Sequence, residues 1–305
     1  MRYGLRLSVT YEFDRPTGTG RQLLRVMPAE IAGTQTVLAS VLTVMPPPTE
    51  RREFADFFGT KVIEVVMPAG LTELVITMTA RLARTARLAR TAAAPGFDIS
   101  PPLALLAQEL AGVFDIGPAS PQHFTAPSPR IARVPEIAAF AKAATASAVW
   151  VREAVEHLGL ALHQAMKFDS TATEVDTLPA AAFALRRGVC RDFAQIMIGG
   201  LRALGIPAAH VAGFLRTLPP KGKPRLAGAD AMHAWVRAWA GSEAGWIEYD
   251  PTNACFPENN HIVVGYGRDY CDVAPVTGRL RLDGHQKGSH AVDLVEIDEP
   301  RLHVT

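Results

Sequence analysis

A cysteine stands between a glycine and a strongly apolar run in the stretch GVCRDF, residues 188–193. A cysteine attacks a carbonyl carbon as the thiolate, so it needs a positive environment such as a helix N-terminus or an imidazolium ion. The apolar spacing after Cys190 predicts a helix that begins near this residue, and the free N–H groups of its first turn would face a developing oxyanion. A lone cysteine is more often a small buried residue, so other residues must decide between the two interpretations.

A histidine and an aspartate that would complete such a site lie on two neighbouring predicted strands. His233 begins the strand HAWVRAW, and Asp250 follows the strand-like run GWIEY. A hairpin that turns at Gly241 and Ser242 would place His233 directly opposite Asp250, with close Cβ atoms on one sheet face. The sequence therefore permits a Cys190, His233, Asp250 triad.

Two different patterns position these residues. Residues 1–92 show short alternating runs broken by Gly and Pro, which predict an antiparallel, sandwich-like β domain of about six strands. Residues 93–135 indicate a linker with one short helix. Residues 136–305 begin with helical patterns and continue into consecutive strands, which predicts an α+β catalytic domain whose Cys190 helix packs on an antiparallel sheet.

Composition restricts the possible partners and the compartment. The 305 residues carry a formal net charge of +1, which gives no general attraction to nucleic acid or to a membrane surface. We see neither a signal peptide nor a run of membrane-spanning length. Three cysteines form no disulfide framework, so a reducing cytoplasm is the predicted location. The sequence does not indicate an oligomeric state.

Five motifs in a fixed order carry a family resemblance: GVCRDFA, LRALGIPAAHVAGFL, MHAWV, GWIEYDPTN and HIVVGYGRDYCDVAPVTG. They resemble the bacterial transglutaminase-like family, whose core belongs to the papain-like cysteine-enzyme superfamily. The alternating first domain is similar to the family's N-terminal β domain. The resemblance implies that Cys190 is the nucleophile, that His233 is the general base and acid, and that Asp250 orients His233.

The resemblance also implies a reaction class and its alternatives. Family members act on amide bonds of peptides or proteins through a thioester, without a metal or organic cofactor. We expect hydrolysis, as in a peptidase or amidase. A crosslinking protein-glutamine acyltransferase is the first alternative, because it shares the thioester. A non-catalytic scaffold is the second, and it is disfavoured because all three chemical positions are intact.

Two neighbours of the predicted triad are candidate substrate-binding residues. Relatives commonly read CQDFAH where this chain reads CRDFAQ, so Arg191 and Gln195 depart from the pattern. Arg191 would bind an acidic substrate group, although a solvent-directed side chain is the simpler interpretation. Trp235 lies two residues beyond His233 on the same strand face and would wall a substrate groove.

Three further features have structural interpretations. Cys255 and Cys271 lack metal-ligand spacing and are interpreted as packing or surface thiols. His261 at a strand start favours a hydrogen bond over a metal ligand. The segment GRDY, residues 267–270, matches the family and is interpreted as a network that clamps the loop near Asp250.

Overall fold

The structure is a computed structural model that describes residues 1–85, 98–217, 228 and 230–297. Within these ranges the strands are β1 (Arg2–Phe13), β2 (Gly20–Leu24), β3 (Gln35–Met45), β4 (Glu50–Ala55), β5 (Lys61–Met67), β6 (Glu73–Arg84), β7 (Lys167–Phe168), β8 (Arg187–Gly188), β9 (Ala208–Leu215), β10 (Ala231–Trp239), β11 (Trp246–Tyr249), β12 (His261–Gly267), β13 (Val276–Leu280) and β14 (Gln286–Glu296). The helices are α1 (Leu103–Ala111), α2 (Pro135–Ala144), α3 (Val151–Ala165), α4 (Pro179–Leu185), α5 (Cys190–Ala203), α6 (Gly241–Ala244) and α7 (Tyr270–Val273), with a 3-10 turn at Pro121–Phe124.

The N-terminal β domain is a sandwich of two antiparallel four-stranded sheets, ordered β14-β1-β6-β3 and β13-β2-β5-β4. Alternate side chains of β1, from Tyr3 to Val9, face the shared apolar core. This period of two is the pattern that predicts the β domain. The strand β4 carries mostly exposed and charged residues, so hydrophobic alternation does not reveal it.

The predicted domain boundaries are wrong at both ends of the catalytic segment. The last strands, β13 and β14, pair with β2 and β1 and so complete both sheets of the sandwich. The predicted linker contributes Leu106 and Ile131 to the core of the predicted catalytic domain. Local patterns identify these elements as strands and helices, but they do not specify which other elements each one packs against. The predicted boundary at residue 92 lies outside the described ranges.

The predicted catalytic domain is built on the antiparallel sheet β11-β10-β9-β12, which we call the catalytic sheet after that prediction, and α5 packs against it. Apolar residues of α5, such as Phe193, Ile196 and Leu201, enter the core with Val236 of β10. Helices α2, α3 and α4 contact α5 from its other sides. The helix that begins at Cys190 is therefore held on all sides, as a precise site requires.

The β domain and the catalytic sheet share one apolar core. Phe214, Ile262 and Val264 of the catalytic sheet belong to the buried cluster of the sandwich. The buried Gln35 side chain of β3 accepts from the Val263 backbone N–H at 2.9 Å and donates to its carbonyl at 2.7 Å. A shared core with buried polar links fixes the relative position of the two domains.

Candidate active site

The first turn of α5 presents Cys190 to a cleft. A carboxylate oxygen of Asp192 accepts the backbone N–H of Val189 at 2.9 Å and so caps the helix start. A Cβ atom on Gly188 would lie 2.6 Å from that oxygen, so only glycine fits beside the cap. The half-buried thiol thus lies at the positive end of a well-capped helix, where backbone N–H groups lack intrahelical acceptors.

His233 connects the thiol to Asp250. Its Nε2 atom lies 2.7 Å from Oδ2 of Asp250, and the ring lines the same cleft as Cys190, with which it interacts electrostatically. Because Nε2 is engaged by the carboxylate, Nδ1 is the ring nitrogen left for the thiol. His233 is 7% exposed and Asp250 is 0% exposed, so this chain of groups is shielded from bulk water.

The predicted register of the hairpin is wrong by two residues. Trp239 pairs with Trp246 and Val236 with Tyr249, because the short helix α6 lengthens the connection beyond a tight turn. His233 is therefore diagonal to Asp250 rather than opposite it. A shift of two residues keeps each side chain on its own sheet face, so the predicted contact between these residues still forms.

Asp250 is the common acceptor of the site. Its Oδ2 atom accepts from His233, from Nδ2 of Asn253 at 2.7 Å and from Nε2 of His261 at 3.1 Å. Its Oδ1 atom accepts the backbone N–H groups of Thr252 at 2.9 Å and Asn253 at 3.2 Å. Burial alone would raise the pKa of Asp250, but these hydrogen bonds outweigh it and hold the pKa well below its usual range.

The electrostatics favour a charged imidazole. Burial lowers the pKa of His233, but its electrostatic interaction with Cys190 and its hydrogen bond to Asp250 raise it to about 10. His233 is therefore protonated at neutral pH. A thiol beside a protonated imidazole is the pair of groups that nucleophilic acyl transfer uses.

Two residues of this cluster were not assigned to the site from the sequence. Asn253 holds Asp250 through a side-chain and a backbone donor, and only its place three residues after an aspartate in a turn hints at that role. His261 makes the expected hydrogen bond, although its partner is Asp250. Ligand atoms of His233, Asp250 and His261 lie within 4.8 Å of one another. Since both Nε2 atoms already face one carboxylate oxygen, hydrogen bonding accounts for the cluster.

Of the two predicted substrate-binding residues, Trp235 lies in the protein interior. Trp235 is 0% exposed, stacks on His233 and donates to Glu248 at 2.8 Å, so its predicted role as a groove wall is wrong. It lies on the expected face, but the segment with Ala29 and Ile31 packs over that part of the face.

Arg191 lines the cleft at Cys190, and the predicted solvent-directed side chain is wrong. Its guanidinium group is buried and lies 3.1 Å from the Asp192 carboxylate. It also donates to the Glu174 carbonyl at 2.7 Å. The arginine is therefore paired within the chain at the edge of the cleft.

The cleft at the thiol has a volume of about 400 Å³ and a largely apolar wall. Its lining comes from both domains: Arg25, Val26, Phe168, Ser170, Val189, Cys190, Arg191, His210, Ala212, Gly213, Phe214, Ala231, Met232, His233, Ala234, Val264, Tyr270, Pro275 and His290. His210 is fully buried there, and its burial lowers its pKa to about 4. The dimensions and the few polar groups are typical of a small-molecule or peptide site.

The GRDY segment delivers Tyr270 to this cleft. The buried Asp269 caps α7 by accepting the Cys271 N–H at 2.8 Å, and it accepts the Arg130 N–H at 2.8 Å. The network therefore clamps the loop at Arg130, not the loop at Asp250 as predicted. Tyr270 lies between the Arg191 guanidinium, 5.5 Å from its ring centre, and the His210 ring.

Comparisons with known proteins agree with this fold and site. A family model for the transglutaminase-like superfamily matches residues 138–251, and one for the bacterial transglutaminase-like N-terminal region matches residues 3–83. The uncharacterized protein ML0607 of Mycobacterium leprae is 30% identical over 278 residues, which cover 89% of this chain and 90% of that protein. The chain therefore belongs to the transglutaminase-like superfamily, with the bacterial N-terminal region.

Other similarities cover different shares of the chain. The uncharacterized protein Rv2569c of Mycobacterium tuberculosis is 37% identical over 155 residues, so the match spans 50% of this chain and 49% of that relative. A protein-glutamine gamma-glutamyltransferase of Pseudomonas aeruginosa is 41% identical over 88 residues, 28% of this chain and 13% of that protein. A solved structure of a candidate cysteine protease from Cytophaga hutchinsonii superposes with a TM-score of 0.71 at 21% identity, covering 98% and 91% of the two chains. The predicted α+β fold class is confirmed.

Proposed function

We propose that this protein is a cysteine enzyme that hydrolyses amide bonds of peptides or proteins through a thioester. The observation that carries the proposal is His233, which hydrogen-bonds the buried carboxylate of Asp250 and lines the cleft beside Cys190. A thiol, an imidazole and an orienting carboxylate in this order provide nucleophilic acyl transfer.

The acylation step uses the charged pair. The Cys190 thiolate forms a bond to the amide carbonyl carbon, and the carbonyl oxygen becomes an oxyanion. In this proposal the N–H groups at the start of α5 and the hydroxyl of Tyr270, which lines the same cleft, donate to it. Burial raises the pKa of Tyr270, so its hydroxyl stays protonated and able to donate. The carbon–nitrogen bond then breaks, and the amine leaves with the proton of His233.

Deacylation reverses the role of the histidine. Neutral His233 takes a proton from water, whose oxygen attacks the thioester carbon. The carbon–sulfur bond breaks, the carboxylic acid product leaves, and the thiolate and the imidazolium are restored. Asp250 keeps the ring in the tautomer that presents Nδ1 to the thiol throughout the cycle.

The lining of the cleft favours water over a lysine amine as acceptor. No aspartate or glutamate is among the described residues that line the cleft at Cys190. A lysine side chain is recognised through carboxylates, and here it would meet paired arginines instead. Crosslinking is the alternative, and the match over 88 residues to a protein-glutamine gamma-glutamyltransferase supports it.

Mass spectrometry of a peptide library with and without added methylamine tests the reaction. Hydrolysis adds the elements of water to the products in both samples, whereas acyl transfer produces methylamide adducts when the amine is present. Cys190→Ala should abolish either product. A double variant, Cys255→Ser with Cys271→Ser, should retain turnover because neither thiol lines the cleft at Cys190, and serine keeps the size of Cys271 in the adjoining cavity.

Iodoacetamide labelling separates an enzyme from a scaffold. In the double variant Cys190 is the only thiol, and we expect it to be alkylated well below the ordinary thiol pKa of about 8.5. Alkylation that begins only near that pH, together with no turnover of the library, would favour the non-catalytic scaffold.

The compartment is a separate proposal. All three cysteines are unpaired, which agrees with a reducing cytoplasm. In the part of the chain that the structure describes, no helix has the length and apolar character needed to cross a membrane. Fractionation of cells that express the tagged full chain tests the proposed cytoplasmic location.

A further inference from the structure

A second cavity extends the cleft at Cys190. It has a volume of about 480 Å³ and lies among β1, β13, β14 and the start of α7. Met232, Tyr270, Pro275 and His290 line both cavities. The two cavities therefore adjoin each other between the catalytic sheet and the β domain, and together we call them the interdomain groove.

The wall of the added cavity is mostly apolar. Val9 and Tyr11 of β1 face it from the sandwich, together with Val276 of β13. Apolar side chains gain the most binding free energy from such walls, because the walls remove their surface from water. Each cavity falls within the range of about 300–1,000 Å³ that is typical of ligand sites.

Two sheet edges open onto the interdomain groove. Strands β13 and β14 are the edge strands of their sheets, and residues 288–290 of β14 line the cavity. An edge strand offers backbone N–H and C=O groups to an added extended chain. The groove is therefore suited to a chain in an extended conformation, with side chains in the apolar cavities.

The charges along the groove are all of one sign. Three arginines line it, and no carboxylate does so among the described residues. Each arginine is paired with a carboxylate outside the lining: Arg25 with Asp56 at 3.3 Å, Arg130 with the exposed Asp176 at 3.3 Å and Arg191 with Asp192 at 3.1 Å. A lysine or arginine of a bound chain would face these guanidinium groups, and those carboxylates are already engaged by them.

We infer that the interdomain groove binds the substrate as an extended peptide whose residues beside the reacting amide are apolar and include no lysine or arginine. The inference rests on the proposed function, because it takes Cys190 as the point of reaction. It also gives the β domain a part in substrate selection, through the residues that β1, β13 and β14 contribute.

Charge reversal in the groove tests the inference. Two probes share a central glutamine, Ac-Leu-Ala-Gln-Ala-Leu-NH2 and Ac-Lys-Ala-Gln-Ala-Lys-NH2. For the wild-type protein we expect the leucine probe to bind or react at least about tenfold better. Ser289→Glu adds a carboxylate to the groove and should move this ratio toward the lysine probe by about fivefold. Gln286→Glu adds the same charge to β14 at an exposed residue outside the lining and should leave the ratio unchanged.

Measuring binding and turnover separately distinguishes this inference from the proposed reaction. Dissociation constants are measured with Cys190→Ala, which keeps the groove but lacks the thiol, and kcat/KM is measured with the wild-type protein and the two charge variants. Selective binding without turnover would support the groove and contradict the proposed function. Equal affinity for the two probes, or the same ratio in Ser289→Glu and Gln286→Glu, would overturn the inference about the groove.

Discussion

At the scale of single residues, Asp250 organises the site. Its Oδ2 atom accepts from His233, Asn253 and His261, and its Oδ1 atom accepts two backbone N–H groups. So many donors stabilise the ionised carboxylate in a place where water cannot. The charge in turn holds the proton on Nε2 of His233 and leaves Nδ1 to exchange protons with Cys190.

Asp250→Asn should move the alkaline limit of activity to lower pH. With the pKa of His233 raised to about 10, kcat/KM should fall only as pH rises through about 10, where the imidazolium loses its proton. The amide of asparagine carries no charge to sustain that pKa. We expect the alkaline limb to shift down by at least one pH unit and the plateau to fall about 10²–10⁴-fold.

A pH profile of kcat/KM measures this shift, with Asp272→Asn as the matched control. Asp272 is also hydrogen-bonded and ion-paired, with Arg268, but it lies outside the lining of the cleft at the thiol. An alkaline limb that stays near pH 10 in Asp250→Asn would show that the carboxylate does not set the protonation of His233.

Tyr270→Phe should slow acylation while sparing the thiol. Tyr270 lines the cleft with Cys190, and burial raises the pKa of its hydroxyl, which therefore stays protonated. Losing one oxyanion donor costs about 10²–10³-fold in rate. Alkylation by iodoacetamide forms no oxyanion, so its rate should not change.

Stopped-flow acylation by an activated ester, compared with alkylation, separates these effects. Tyr266→Phe is the control, because that hydroxyl bonds Glu248 away from the cleft at the thiol. Equal losses in both reactions would assign Tyr270 to thiol activation or to structure, and no loss in either would remove it from the mechanism.

The residues of the site differ in how well the sequence predicts them. Cys190 and His233 are marked by a glycine before a helix and by the start of a strand, which are local signals. The predicted role of Trp235 is wrong because the exposure of its side chain depends on the segment with Ala29 and Ile31, which comes from another domain. No local pattern records such a long-range contact.

At the scale of elements, the start of α5 depends on one small residue. The Asp192 carboxylate caps the helix in the space where Gly188 has no side chain. Gly188→Ala should therefore displace the cap or the strand before it, at a cost of about 1–3 kcal/mol in the free energy of unfolding. Activity should fall by more than the loss of stability accounts for, because a displaced helix start also displaces Cys190.

Gly199→Ala on the same helix is the matched control. Its Cβ would make ordinary contacts at 3.5 Å and 3.8 Å with two isoleucine side chains, so it should be neutral or stabilise the helix by up to about 1 kcal/mol. Urea titrations give the free energies of unfolding. A Gly188→Ala variant as stable and active as the wild-type protein would show that the cap tolerates a side chain.

The elements themselves are predictable where the apolar period is clear. Strand β1 shows it and is predicted, whereas the charged edge strand β4 does not and is missed. The β10–β11 hairpin has the expected strands, but their register differs by two residues from the predicted one. The hydrophobic pattern does not reveal α6, which lengthens the connection. Period and face follow from local sequence, while connection geometry requires the turn itself.

At the scale of the whole molecule, the C-terminal strand links the two domains. Strand β14 pairs along β1 through eleven residue pairs and places Val292 and Leu294 in the sandwich core. It also fixes the start of β10: the Leu294 N–H donates to the Asp230 carboxylate at 2.5 Å, next to the strand that carries His233. The sequence predicts this strand but not that it returns to the first domain.

Removing the C-terminal strands should therefore disable both domains. A chain that ends at Pro275 lacks β13 and β14, which exposes apolar surface on β1 and releases Asp230. Losing the buried Val292 and Leu294 side chains alone costs about 3–6 kcal/mol, comparable with the stability of a whole domain, about 5–15 kcal/mol. We expect a broad or absent thermal transition by circular dichroism and no alkylation of Cys190 at neutral pH.

A chain that ends at Ile297 keeps every described strand and should retain a cooperative transition and the reactive thiol. If the chain ending at Pro275 melts as cooperatively as the one ending at Ile297, the catalytic sheet folds without the strands that complete the sandwich, and the shared core is not what positions His233.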